Sequence, residues 1–407
     1  MSVFRPRIAI VGGGPSGLAL GRLLHQHGIR PTIYDLRGKP AQEELVRPSG
    51  MLDLHEESGQ LALHGCGLWD DFQAAVGDCS ESMRVISHEG VLLHSDEGGP
   101  RARPEIARNK LTDLLIRSVP SHIIKWNQKI EAVRNSREAT KGASNITLDL
   151  GANGTATYDF VVGADGAWSR IRKLLSDTVP FYSGAQYLTA TIRHASTKHP
   201  HLLKLSGSGT MMALDGGKAI MTQRGPQDSI RLYAAVSTPD EHWAETEELK
   251  GKTAAEVKTR LLDDTFRTWA STLQDLLATA CDEETKDNPG CEADIKPYYM
   301  LPVGHRWEHQ MGVTLIGDAA HLMTPWAGEG VNLALWDSLD LAHVLAGVPE
   351  AADAAAWQAA LEPRMREFEE AMLARAQEKA EETDRNRAKF LSENSAQSLV
   401  DFFKMCG

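Results

Sequence analysis

The stretch "RIAIVGGGPSGLALGRLLHQHGIRPTIYD", Arg7 to Asp35, decides the fold. Ile8 and Ile10 alternate with smaller residues and read as a strand. Gly12, Gly14 and Gly17 then give G-x-G-x-x-G at the point where a helix must begin. Gly12 permits the tight turn, Gly14 lets the backbone approach a pyrophosphate, and Gly17 lets helix and strand pack closely. Pro15 and Ser16 fall in the first helical turn, where the missing N–H of proline costs nothing. The free amides and partial positive charge of that helix end suit phosphate groups. Leu18, Leu20, Leu23 and Leu24 form the buried face, and Gly28 stops the helix. "RPTIYD" is a second strand ending in Asp35, a carboxylate placed to accept hydrogen bonds from a ribose.

The whole chain bounds this reading. Its 407 residues are enough for about two domains, and 42% hydrophobic with 24% charged content is that of a globular protein. The basic residues and short apolar run of "MSVFRPRIAIVGGGPSG" superficially resemble a secretory leader, but the run breaks into glycines. With no apolar run of membrane-spanning length, the protein is expected to be cytoplasmic. Cys66, Cys79, Cys281, Cys291 and Cys406 are odd in number without CxxC spacing, so neither a disulfide framework nor a metal site is expected. A net charge of −12 argues against nucleic-acid binding.

Two later stretches share one grammar with the first. "VTLIGDAAHLMTPWAGEGVNLAL", Val313 to Leu335, is a strand ending in Gly317-Asp318, then a Pro/Gly loop, then a helix beginning near Val331. "YDFVVGADGAWSRIRKLL" is a strand, then Asp165-Gly166, then a helix carrying Arg170 and Arg172. A simple dehydrogenase needs no second acidic strand end. A flavin does: its ribityl hydroxyls suit Asp318, and its ring would lie over Pro325, Gly328 and Gly330. There the helix end at Val331 and Asn332 stabilises negative charge on the reduced ring.

In their order and spacing these three fingerprints resemble those of single-component, class A flavoprotein aromatic hydroxylases. "GMLDLHEESGQLALHGCGLWDDF" (Gly50 to Phe72), "ARNKLTDLLI" (Ala107 to Ile116) and "LIGDAAHLMTPWAGEGVN" further resemble Tet(X)-type tetracycline-inactivating monooxygenases. The resemblance implies FAD contacts at Asp35, Arg108 and Asp318, with Arg47 and Asp53 in the matching segment. Leu36 stands where the family carries a basic residue. It also implies that Asp165-Gly166 serves both FAD and NADPH or NADH, and that O2 is activated as a flavin C4a-hydroperoxide. That species hydroxylates a planar polycyclic aromatic or enolic substrate, with tetracyclines as candidates. A flavin oxidase, or a FAD-containing binding protein with little tetracycline turnover, is the alternative.

The expected fold is α/β: a Rossmann-like FAD-binding domain, an inserted, mostly antiparallel β-sheet substrate domain, and a long C-terminal bridging helix. Residues 1–79, 102–180 and 292–348 are assigned to the first, 80–101 and 181–291 to the second, and 349–395 to the third. "AQYLTATI", "GTMMALDGGKAIMTQ" and "SIRLYAAVS" read as strands of the sheet. The resemblance places Thr189, Thr210, Met212, Met221 and Arg231 there as substrate contacts, where the tetracycline enzymes are expected to carry Gln, Arg and His in place of Thr189, Thr210 and Arg231. Pro325, Trp326 and Gly328 would close the pocket from the loop. Trp357, Leu361, Met365, Phe368 and Met372 recur at helical steps, and that helix brings Asn386 and Phe390 to the substrate mouth. His194, His199 and His201 read as a surface loop, and His321 as support for the ring-facing loop. The chain is expected to act as a monomer on a small molecule.

Overall fold

A computed structural model describes residues 4–76, 80–98, 103–137 and 143–406. Cys79 and the assigned boundaries at 79 and at 101–102 lie outside the described residues. Cys66, Cys281 and Cys291 are free thiols. No helix among the described residues is long and apolar enough to cross a membrane.

The apolar runs read as strands pair into a five-stranded parallel sheet. Its order is Val313–Leu315, Phe160–Gly163, Ile8–Val11, Thr32–Tyr34, Ile124–Lys125. Ile10 lies beside Val162 on one side and Ile33 on the other, and Val162 beside Thr314. Both faces are covered, which is why these strands are continuously apolar rather than alternating. The helix Pro15–Gln26 buries Leu18, Leu20, Leu23 and Leu24 against the sheet.

A second sheet has seven strands, in the order Asp294–Met300, Phe181–Ile192, Ser229–Ser237, Lys218–Gly225, Thr210–Asp215, Met83–Ile86, Leu92–Asp96. All neighbours are antiparallel except Thr210–Asp215 with Met83–Ile86. Alternation sorts its side chains. Leu188, Ala190, Ile192, Ile230, Leu232 and Ala234 pack on one face against Val257, Phe266, Trp269, Leu273 and Leu277 from a helical layer.

The helix Ala354–Phe390 runs for 37 residues from an N-cap where Asp353 accepts from the Ala356 amide. Trp357, Leu361, Met365, Phe368 and Met372 bury themselves in the core of the parallel sheet. At its far end the Arg387 guanidinium donates to the Ser183 carbonyl of the second sheet at 3.1 Å. One helix thus spans both sheets.

Three details depart from the sequence reading. Arg170 and Arg172 do not lie on a regular helix; only a short 3₁₀ turn, Arg172–Leu174, forms. The Asp165 carboxylate accepts from the Ser169 hydroxyl and the Arg170 amide at 2.5 and 2.7 Å, which folds the segment tightly back. His194 precedes the short helix Ala195–Lys198, His199 separates it from a second, Pro200–Ser206, and His201 lies within that second helix, which Pro200 starts. A further helix, Ser395–Cys406, follows the long one and sets Ala396, Leu399 and Val400 against Val85, Leu214 and Ala219.

Candidate active site

Four of the residues singled out in sequence stand at the carboxyl ends of four adjacent parallel strands. Gly12 follows Ile8–Val11, Asp35 follows Thr32–Tyr34, Asp165 closely follows Phe160–Gly163, and Asp318 closely follows Val313–Leu315. This is where an open α/β sheet offers a crevice to a ligand.

The glycines fill their positions for distinct reasons. At Gly12 the backbone adopts φ +115°, and a Cβ would sit 2.0 Å from the Ala164 carbonyl oxygen. At Gly17 a Cβ would sit 1.9 Å from the Gly12 carbonyl oxygen, so strand and helix touch there. At Gly14 a Cβ would meet nothing of the protein within 4 Å, so its approach surface is left to a ligand. The Gly13 amide donates to Asp35 Oδ2 at 2.7 Å, which ties the loop to the second strand.

Asp35 is therefore occupied. Its other oxygen accepts from the Arg37 amide and guanidinium at 2.7 and 3.1 Å. A ribose contact would require the exposed Arg37 side chain to yield. Around these groups lies a cleft of about 960 Å³, lined by Gly12, Gly14, Asp35, Gln128 and the segment from Ala164 to Arg170. Arg37, Lys129, Arg170, Arg172 and Lys173 also line it, a cationic wall suited to phosphates. Arg172 is partly spent, donating to the Ala319 and Ala167 carbonyls at 3.0 and 2.6 Å.

Asp318 opens the short helix Asp318–His321, and its side chain is solvent-accessible although protein surrounds it deeply. The surrounding protein pushes its carboxyl above the usual range, against the charges of His321 and Arg108. Arg108 is the exposed first residue of the helix Arg108–Ser118, with its amide 2.9 Å from the Gly50 carbonyl. Its charge also bears on Tyr187 and Tyr233 of the seven-stranded sheet, opposing the rise in their pKa. His321 Nε2 lies 2.7 Å from Asp337 on the helix Gly330–Ala346, and Asp337 also accepts from the Gly317 amide at 3.0 Å.

Beyond Asp318 the chain turns through Pro325–Ala327, passes Gly328 at φ +70°, and enters the helix Gly330–Ala346. The amides of Gly330, Val331 and Asn332 lie in its first turn, where no intrahelical acceptor exists. The Asn332 carboxamide is fully buried, pointing away from these amides into a network of its own. It accepts from the His55 amide at 2.9 Å and donates to the Asp53 carbonyl at 2.9 Å. Asp53 in turn lies 3.0 Å from His55 Nε2. Arg47 is exposed and leans toward Asn288, 3.5 Å away.

The face of the seven-stranded sheet opposite its helical layer carries all five proposed substrate positions. Thr189, Tyr233, Met221 and Met212 lie in one row across neighbouring strands, and Arg231 and Thr210 flank Gln223 in the next row. Two of the five are hydrogen-bonded to each other. The Thr189 hydroxyl donates to Asp294 and receives Arg231 Nη2, each at 2.6 Å, while Arg231 Nη1 donates to Thr191 at 2.7 Å. Strand register sets these groups side by side, so Arg231 Nη1 and Nη2 are both engaged while its Nε has no hydrogen-bond partner among the described residues.

What remains is aromatic and sulfur-rich. Tyr187 stacks on Tyr298 at 4.0 Å, Tyr298 meets Trp326 edge-on at 6.1 Å, and Trp326 stacks on Phe390 at 5.5 Å. Met212 and Met221 pack against this wall. Asn386 steadies it by donating to the Trp326 carbonyl at 3.1 Å. Tyr187, Tyr233 and Tyr298 were not singled out in sequence, although Tyr187 shares the alternation frame of Thr189. Burial holds all three phenols above their ordinary pKa, so they remain neutral.

The chain belongs to the FAD-binding domain family, whose profile matches residues 5–376. It is 34% identical to Monooxygenase asqM of Emericella nidulans, over 96% of each chain. HpxO of Klebsiella pneumoniae in complex with FAD shares the fold, with a TM-score of 0.76 at 16% identity over 98% of this chain and 94% of that one. The tetracycline destructase Tet(55) shares it too, with a TM-score of 0.66 at 18% identity over 98% and 94%. The likeness to tetracycline-inactivating enzymes is thus one of fold. This protein is an FAD-dependent monooxygenase.

Proposed function

We propose that the enzyme uses NADPH or NADH and O2 to hydroxylate a planar, largely apolar polycyclic aromatic or enolic substrate, held between the Pro325–Gly330 loop and the seven-stranded sheet. The four-ring wall of Tyr187, Tyr298, Trp326 and Phe390, facing Met212 and Met221, carries this reading. Flat rings gain offset-stacking and dispersion energy there, and sulfur adds polarizable contact.

The donor set fits FAD. The open approach at Gly14, the amides beginning the helix Pro15–Gln26 and the cationic wall suit a pyrophosphate. Bound FAD supplies the redox chemistry, taking a hydride from the nicotinamide and activating O2 so that one oxygen enters the substrate and the other leaves as water. The protein's share is position and environment. Asp318 would accept from ribityl hydroxyls, and Arg108 would steady the same stretch. Gly328 lets the backbone come close, and the helix end at Gly330 stabilises negative charge on the reduced ring. Met212, Met221 and Trp326 exclude water.

In this reading the first sheet with residues 301–348 forms the cofactor domain, and 80–101 with 181–300 the substrate domain, because the strand Asp294–Met300 pairs with Phe181–Ile192 and moves the boundary expected at 291/292 past it. The enzyme works as a cytoplasmic monomer without a metal or nucleic-acid partner. Because Thr189 and Arg231 are committed to each other, tetracyclines should be poorer substrates than less polar polycycles. The test is NADPH consumption screened over tetracyclines and polycyclic phenols, with mass spectrometry seeking one added oxygen. Anaerobic NADPH must also bleach the flavin band near ~450 nm. Flavin that never bleaches with any ligand rejects the nicotinamide-driven reaction.

A further inference from the structure

The loop that would face the flavin ring is held from beneath by a chain of four charged side chains. Glu329, between Gly328 and Gly330, is 7% exposed. Its Oε1 lies 2.6 Å from Lys379 Nζ on the long C-terminal helix, and its Oε2 lies 3.5 Å from His55 Nδ1. The other nitrogen of His55 lies 3.0 Å from Asp53 Oδ2. The His55 side chain is 3% exposed. Asp53 also touches the loop: its Oδ1 would lie 3.2 Å from a Cβ at Gly328. Asn332 fixes both ends of this short segment through the Asp53 carbonyl and the His55 amide.

The charge balance turns on one proton. Asp53 and Glu329 carry two negative charges, and Lys379 carries one positive charge. The chain is neutral when His55 is an imidazolium and carries −1 when it is not. The remaining charged groups nearby are also acidic: Glu57 lies 3.9 Å from His55 Nδ1, and Glu382 lies 3.5 Å from Lys379. A histidine tucked into an apolar core would face no carboxylate; this one is bracketed by two.

We propose that His55, held as an imidazolium between Asp53 and Glu329, is a positioning residue that fixes the Gly328–Gly330 loop and keeps net negative charge from accumulating beneath the flavin ring. Loss of its proton both loosens the loop and raises the cost of placing an electron pair on the ring. This rests on the reading that the loop faces the ring.

The protonation state agrees with the geometry. Burial opposes the charged ring, but hydrogen bonds to Asp53 and Glu329 outweigh it, and the pKa is pushed up from 6.5 to about 9. Because the folded value is the higher one, the stabilisation is full below pH 6.5 and is lost as pH rises through about 9.

The experiment compares the wild type with His55→Gln in two ways. The first is the melting temperature of the FAD-stripped protein between about pH 6 and pH 10. The wild type should lose stability as pH approaches and passes 9, and His55→Gln should start lower and lack that step. The second is the flavin midpoint potential of the reconstituted protein. His55→Gln should sit at lower potential than the wild type at neutral pH, with the gap closing above about pH 9. If His55→Gln does not fold, the wild-type pH series alone decides: a melting curve without that alkaline step overturns the proposal. FAD that binds and bleaches, with a potential unchanged by His55→Gln, overturns the electrostatic role while leaving the monooxygenase reading intact. Failure to bind FAD at all overturns that reading instead, and the melting series on the stripped protein still judges the clasp.

Discussion

Replacing Gly14 by alanine separates what the glycine loop does for the fold from what it does for the ligand. Gly14 caps the helix Pro15–Gln26 with φ −82° and ψ −175°, angles that alanine adopts without strain. A Cβ there meets nothing of the protein within 4 Å. The stripped protein should therefore lose only the modest advantage of glycine over alanine at an N-cap, up to about 1 kcal/mol. For a chain of 407 residues that is a shift of about 1 °C in melting temperature. FAD binding should suffer far more, because the methyl group occupies the surface across which backbone amides reach the pyrophosphate. Losing one charge-assisted hydrogen bond costs about 1.5–3 kcal/mol, or about 10- to 150-fold in Kd. The assay is fluorescence titration of FAD into stripped wild type and Gly14→Ala, alongside thermal melting of both without FAD. Gly17→Ala is the control of opposite kind: its Cβ would lie 1.9 Å from the Gly12 carbonyl, so it should destabilise even the stripped protein, by about 1–3 kcal/mol. If Gly14→Ala binds FAD within about twofold of the wild type while keeping its stability, the pyrophosphate does not lie over this loop.

Three other outcomes follow from the same geometry. Gln358→Ala removes a buried carboxamide that accepts from the Ser144 amide and donates to the Ser144 and Asp159 carbonyls, and stranding those groups should cost about 3 kcal/mol or more in urea unfolding. Trp326→Phe keeps the wall but weakens its stacking with Phe390, so KM for a polycyclic substrate should rise about 2- to 10-fold while FAD affinity stays unchanged; equal loss of both would place the ring elsewhere. Arg231→Met breaks the network with Thr189 and Thr191, and should lower stability by about 1.5–3 kcal/mol with kcat/KM for an apolar substrate changed less than about threefold. A large kcat/KM loss at preserved stability would restore Arg231 as a direct substrate contact.

Sequence by itself determined what short-range physics controls. The strand, the G-x-G-x-x-G turn and the helix to Gln26 follow from hydrophobic period, from the close approaches at Gly12 and Gly17, and from Pro15 at a helix start. The long helix was equally legible, because Trp357, Leu361, Met365, Phe368 and Met372 repeat at its own period. The helix Ser395–Cys406 carried a similar signal in Ala396, Leu399 and Val400, but too few turns for it to stand out.

Only the tertiary structure decided which polar groups are free. Thr189 and Arg231 look like ligands for a substrate until strand register sets them beside each other and Asp294. The Asn332 carboxamide is tied to the segment from Asp53 to His55, a pairing no local pattern in the sequence foretells. His55 has no meaning in isolation; its charge comes from carboxylates at Asp53 and Glu329, the latter far away in sequence. The reason is physical: a buried polar group takes the nearest partner that satisfies it, and that partner is chosen by how distant strands and helices meet, not by the residues beside it in the chain.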